Sequence, residues 1–188
     1  MSVEPWQKAE IAGPIKAVPI KDPKALATII KKYKKPIIIV GHLISKVEGM
    51  DLVEYIIDLA KTIDADVVVT NTLIRKFHER GFKRATYMPA LEIIDRLRDP
   101  LWRGIHGDGN YDLAIFIGFQ YYYEWLLLSS LKHFAYERLD TISLGPYFQP
   151  NAKWTVPTLP LNTWYKYLTD LKDSLTKSLR CKPREKNV

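Results

Sequence analysis

Hydrophobic residues follow two rhythms along this chain. In one, four to seven apolar residues run without a break and then stop: Pro36-Ile37-Ile38-Ile39-Val40 at Gly41, and Leu113-Ala114-Ile115-Phe116-Ile117 at Gly118. Continuous β-branched runs this short predict strands buried on both faces, the habit of parallel sheets covered by helices. Asp66-Val67-Val68-Val69-Thr70 predicts a second strand, Thr141-Ile142-Ser143-Leu144-Gly145 a further strand that ends in glycine, and Trp154-Thr155-Val156 a short extended piece.

The other rhythm recurs every three to four residues. Leu52, Ile56, Leu59, Ala60 and Ile63 predict a helix over about 50–63, and Leu161, Trp164, Tyr165, Leu168, Leu171 and Leu175 one over 162–179. Asp22-Pro23 opens a helix to Tyr33 with an N-cap and a first-turn proline. Shorter helices are expected over 73–80, closed by Gly81, and over 89–97, closed by Asp99-Pro100. Tyr121 to His133 is apolar around nearly its whole circumference, so it is either central to the core or buried by another chain. Residues 1–22 read as an irregular arm broken by Pro5, Pro14 and Pro19, and 104–110 as a glycine-rich loop. Helices alternating with strands predict an α/β three-layer sandwich with a mostly parallel sheet, in one domain over 1–179.

Composition narrows the chemistry. With 47% hydrophobic and 26% charged residues, the 188-residue chain is globular, and it contains no apolar run of membrane-spanning length. Residues 1–10 lack the apolar core of a secretory signal. The one cysteine, Cys181, excludes an internal disulfide framework and points to a reducing, cytoplasmic setting. One Cys and four scattered His cannot furnish an iron–sulfur cluster and are poor material for a zinc site, so any metal belongs to another chain. The net charge of +7 is concentrated partly in Lys31, Lys32, Lys34 and Lys35, and partly in a basic tail over 180–188, expected to be disordered. No RRM, KH or helix-turn-helix signature accompanies it, so nucleic acid is not an expected partner; a charge-driven phosphate or nucleic-acid binder would show strongly salt-dependent binding.

Ligands of open parallel sheets bind beyond the carboxyl ends of the strands. Candidate cofactor contacts are therefore Gly41, His42 and Leu43 after the first strand, Thr70 and Asn71 after the second, Gly118 and Phe119 after the third, and Gly145 after the fourth. Each has a plainer use: the glycines in turns, Asn71 or Thr72 as a helix cap, the aromatics in packing. The first turn lacks G-x-G-x-x-G. His106 with Asp108 is a candidate acid–base pair on a loop. The sequence contains no G-x-S-x-G, Walker or H-E-x-x-H motif, so nothing assembles a nucleophile.

Four segments carry a family resemblance: Pro5-Trp6-Gln7-Lys8-Ala9-Glu10-Ile11-Ala12-Gly13-Pro14, Lys35 to Gly41, Tyr111 to Gly118, and Leu144-Gly145-Pro146-Tyr147-Phe148-Gln149-Pro150-Asn151-Ala152. On these the chain resembles the epsilon subunits of archaeal acetyl-CoA decarbonylase/synthase complexes over nearly its whole length, the basic tail excepted. The strand segments alone also fit the central domain of thiamine-diphosphate enzymes. The resemblance implies a Rossmann-like, DHS-like NAD/FAD-binding fold. It also implies a non-catalytic partner of the CO dehydrogenase alpha subunit, which carries the nickel–iron–sulfur centre and the iron–sulfur clusters. This partner would stabilise the alpha subunit, in an α2ε2 assembly or as a homo-oligomer, and assist electron transfer to FAD during CO oxidation or CO2 reduction. It places no catalytic residue. The alternative is a stand-alone nucleotide- or flavin-binding enzyme, marked by a yellow colour or by activity without the large partner.

Overall fold

The computed structural model describes residues 13–180, with side chains to residue 177. The basic tail beyond residue 180, and the part of the N-terminal arm and of the first resemblance segment before residue 13, lie outside the described residues. Seven parallel strands form one sheet: β1 Val18–Pro19, β2 Pro36–Val40, β3 Asp66–Val69, β4 Ala85–Tyr87, β5 Leu113–Ile117, β6 Asp140–Ser143 and β7 Trp154–Thr155. Their spatial order is β1-β7-β6-β5-β2-β3-β4. Counted from β2, the strands from β4 to β7 follow the order 3-2-1-4-5-6 of the doubly wound Rossmann sheet, and the chain reverses direction across the sheet between β2 and β5.

Strand periodicity sorts β2 and its neighbours onto two cores. Ile38, Val40, Val67, Val69, Ile115 and Ile117 face helices α1 (Pro23–Ile30), α2 (Leu52–Ile63) and α6 (Leu161–Arg180). Ile37, Ile39, Val68, Ala114 and Phe116 face α4 (Ala90–Arg98) and α5 (Tyr121–Phe134). All five residues of β2 and all five of β5 are buried, which is why these strands read as unbroken apolar runs. The remaining helix, α3 (Ile74–Glu79), anchors Phe77 beside β4. No helix among the described residues is long and apolar enough to cross a membrane.

Two strands were not foreseen. β1 falls inside the stretch expected to be irregular: Val18 and Ile20 donate backbone N–H groups to Lys153 O (3.0 Å) and Thr155 O (2.9 Å). Pro19 is tolerated because β1 is an edge strand, where a missing N–H breaks no ladder. β4, at the opposite edge, is three residues long and only half buried, too short to leave a hydrophobic signature.

Side-chain caps fix the starts of α1 and α2. Asp22 accepts from Lys24 N at 2.9 Å, and Asp51 from Val53 N and Glu54 N at 3.1 Å each. Asp51→Ala is expected to destabilise the fold by about 1 kcal/mol and lower the melting temperature by about 2–4 °C, read by calorimetry.

Candidate functional site

The glycine-ended strands all finish on the same edge of the sheet, because β3, β2, β5 and β6 are parallel neighbours in register. Of the eight residues expected there, four form one tight group. Gly41 N donates to Ile117 O (2.9 Å), and Leu43 N donates to Gly118 O (2.8 Å). A Cβ on Gly41 would overlap the Gly118 carbonyl and reach to 2.8 Å from Phe119 Cγ. Gly118 has φ +80°, and a Cβ there would overlap Ile44. The glycines at the switch point thus let two backbones touch each other. Phe119 stacks at a tilt on Phe116 (5.9 Å) and Tyr123 (6.2 Å).

The other expected residues are held more locally. His42 opens a 3-10 turn, His42–Ser45, and its carbonyl accepts from Ser45 Oγ. Thr70 Oγ1 donates to Val40 O at 2.9 Å, tying the end of β3 to β2. Asn71 Oδ1 accepts from Leu73 N at 2.8 Å in an Asx turn ahead of α3, whose N-cap, Leu73, has no side-chain cap bond, so Asn71 does not cap the helix as expected. Gly145 lies apart from the switch point, next to Glu124 and Ser143.

A pyrophosphate at a switch point is held by backbone N–H groups turned toward it. Here Leu43 N–H and the Thr70 hydroxyl are already donated to protein carbonyls, and the Gly41–Gly118 contact fills the approach. Those spent donors do not fit an FAD pyrophosphate between β2 and β5, whereas Asn71 Nδ2, beyond the end of β3, is buried without a hydrogen-bond partner. Among the described residues no group of three His, Cys, Asp or Glu is placed to hold a metal ion.

His106 is separated from its expected partner. Its Nε2 lies 3.3 Å from Asp66 Oδ1, while Asp108 pairs with Lys35. Tyr111 also donates to Asp66, at 2.6 Å, and Arg84 Nη2 approaches it at 3.4 Å. Asp66 begins β3, so this network closes the amino end of the sheet, away from the strand tips.

Sequence reasoning missed the buried polar group beside Gly145. Glu124 is 3% exposed, Gln149 2% and Ser143 0%. α5 contributes Glu124, the end of β6 contributes Ser143, and the loop into β7 contributes Gln149. Gln149 Nε2 donates to Tyr121 O at 2.9 Å and Asn151 Nδ2 to Trp125 O at 3.1 Å, so this loop is laced to α5. The available signal was the single carboxylate inside the apolar run Tyr121 to Leu128.

Burial pushes the Glu124 carboxyl up to about 7, and the nearby Ser143 hydroxyl offsets only part of that shift. Tyr121, on the same helix face, is raised mainly by its own burial and secondarily by Glu124. The sign follows from linkage: a carboxyl whose folded pKa exceeds its unfolded value contributes stability at low pH that is lost as pH rises to about 7. Ionising Glu124 is expected to cost up to about 3 kcal/mol between pH 4.5 and 8. Glu124→Gln should flatten that part of the stability–pH curve, measured by urea unfolding in amine-free phosphate buffer; an unchanged slope would exclude Glu124 as its source.

The fold and the strand tips together define a doubly wound parallel α/β domain of the dinucleotide-binding type, with its switch point closed by its own backbone. Comparison with known proteins narrows this. The family model of CO dehydrogenase beta subunits and acetyl-CoA synthase epsilon subunits matches residues 1–172, and the chain belongs to this family. It is similar to the acetyl-CoA decarbonylase/synthase complex subunit epsilon of Methanothermobacter thermautotrophicus, 36% identical over 87% of this chain and 91% of that one. It is also similar to the subunit epsilon 1 of Archaeoglobus fulgidus, 34% identical over 81% of this chain and 82% of the relative. The subunit epsilon of Methanothrix soehngenii is 30% identical over 84% of this chain and 82% of its own.

Proposed function

We propose that this chain is a non-catalytic accessory subunit that binds and stabilises the large, metal-bearing CO dehydrogenase subunit, two copies of each chain assembling together. The observation that carries this reading is the outer face of α5. Tyr122 is 64% exposed and Leu126 56% exposed, one helical turn apart, on a helix whose opposite face is core. Large apolar side chains paired on a surface helix favour a protein partner. Family membership supports a partner within one complex, since the relatives are named as its subunits, and the choice of the large metal-bearing subunit is our reading. The missing nucleophile motifs and the sparse metal-ligand complement of the sequence agree with a division of labour in which the reactive metals lie in the other chain.

The stabilising role is tested by heating the large subunit with and without this chain and following CO oxidation. Activity is expected to survive markedly longer in the mixture, because a partner that binds only the folded state stabilises it by mass action. Superimposable decay curves would remove that role.

A further inference from the structure

We propose that Glu124, Ser143 and Gln149 form a binding site for a primary ammonium group, reached past Gly145. Three buried oxygens near the carboxyl end of β6, Glu124 Oε1, Ser143 Oγ and Gln149 Oε1, lack a well-formed hydrogen bond, the Ser143 hydroxyl being near enough to Glu124 only to favour its charged form. Buried polar atoms are costly when unpaired, so such a cluster needs a water or a ligand group to complete it.

The polarity of Gln149 is fixed, and the Ser143 hydroxyl retains lone pairs that can accept. Gln149 Nε2 is spent on Tyr121 O, so Oε1 can only accept. Gln149 N donates to Thr155 Oγ1 at 3.0 Å, and Thr155 pairs with Ser143 across the ladder, so the Gln149 loop is pinned over the end of β6. Gly145 is the adjoining backbone: it is only partly buried, and a Cβ there would stand in van der Waals contact, 3.8 Å from both Glu124 Oε2 and Ser143 Oγ, with nothing closer. The edge-to-face pair of Tyr121 and the half-exposed Tyr147, with centroids 6.4 Å apart, belongs to the same helix turn and the same loop, and adds aromatic surface suited to a cation.

A primary ammonium carries three donors and no acceptor, which matches three orphan acceptor oxygens, and its charge compensates the carboxylate. Calcium would ask for about six to eight oxygens, more than the four that these side chains provide. The ammonium group has two possible sources, a free small amine or a lysine side chain presented by a partner subunit.

The test uses the full chain in sodium phosphate at pH 8, titrated with methylammonium chloride or with tetramethylammonium chloride at equal ionic strength. Methylammonium at tenfold excess over its Kd is expected to raise the melting temperature by about 3 °C, and tetramethylammonium, which has no N–H donor, to leave it unchanged. The shift should vanish in Glu124→Gln and in Gly145→Val, whose branched side chain fills the space beside Glu124 Oε2 and Ser143 Oγ while leaving the carboxyl in place; if the first variant does not fold, the second decides. Repeating the titration on the chain bound to the large subunit separates the sources: binding abolished there assigns a partner lysine, binding retained assigns a free amine. Equal shifts with both salts, or a shift that survives in Gly145→Val, would overturn the proposal. Co-elution with the large subunit is scored separately, so failure of the ammonium site and failure of the assembly reading are distinguishable.

Discussion

Gly41→Ala is expected to lower the stability of the fold by about 3–5 kcal/mol, among the largest effects of any single methyl group added to this chain. The added Cβ would lie 2.6 Å from the Gly118 carbonyl carbon and 2.8 Å from Phe119 Cγ, and would overlap the carbonyl oxygen itself. The listener to that clash is backbone, which cannot rotate away as a side-chain tip can. Relief would require parting β2 from β5, the centre of the sheet, and breaking the Leu43 N to Gly118 O bond. Urea unfolding would show a lower midpoint with the slope preserved if the native state alone is affected. Gly145→Ala is the control. Gly145 does not have a left-handed φ, and the nearest atoms to an added Cβ are 3.8 Å away, so a change within about 0.5 kcal/mol is expected. Equal costs at both positions would show that the close approach of the two backbones is not what Gly41 provides.

Leu126→Arg is expected to leave the isolated chain folded and to weaken its association with the large CO dehydrogenase subunit about 30-fold, the effect of losing a central apolar anchor worth about 2 kcal/mol. Leu126 contributes little to the core, being 56% exposed, whereas Leu127 and Leu128 beside it are 2% and 0% exposed. The substitution therefore separates docking from folding. Surface plasmon resonance on the purified pair reads the affinity, and circular dichroism reads the fold. An unchanged Kd would move the docking face away from α5.

These two positions also show what the sequence discloses and what it hides. β2 and β5 are legible because a strand covered on both faces is apolar at every position, β3 through its three valines, and β6 only through Ile142, Leu144 and the glycine that follows. β1 and β4 are hidden because two or three residues at an edge carry no period, and β1 contains a proline that only an edge tolerates. The glycine tips are legible as places, but their use is not. Whether Gly41 admits a ligand or a neighbouring backbone depends on its register with Gly118, far away in the chain.

α5 exposes a different limit. Its apolar residues surround the helix, so the sequence cannot tell a central helix from one covered by another chain. The structure divides the circumference: Leu127, Leu128 and Leu131 go to the core, and Tyr122 and Leu126 to the outside. Glu124 was masked by the same composition, since one acid in a helix is ordinarily a solvated position. Only the fold turns it inward toward Ser143.

The most direct test of the central claim is size-exclusion chromatography with light scattering on this chain mixed with its large CO dehydrogenase partner. The account predicts one species containing both chains in equal numbers, with a mass corresponding to two of each. Two separate peaks, each at the mass of its own component, would contradict it.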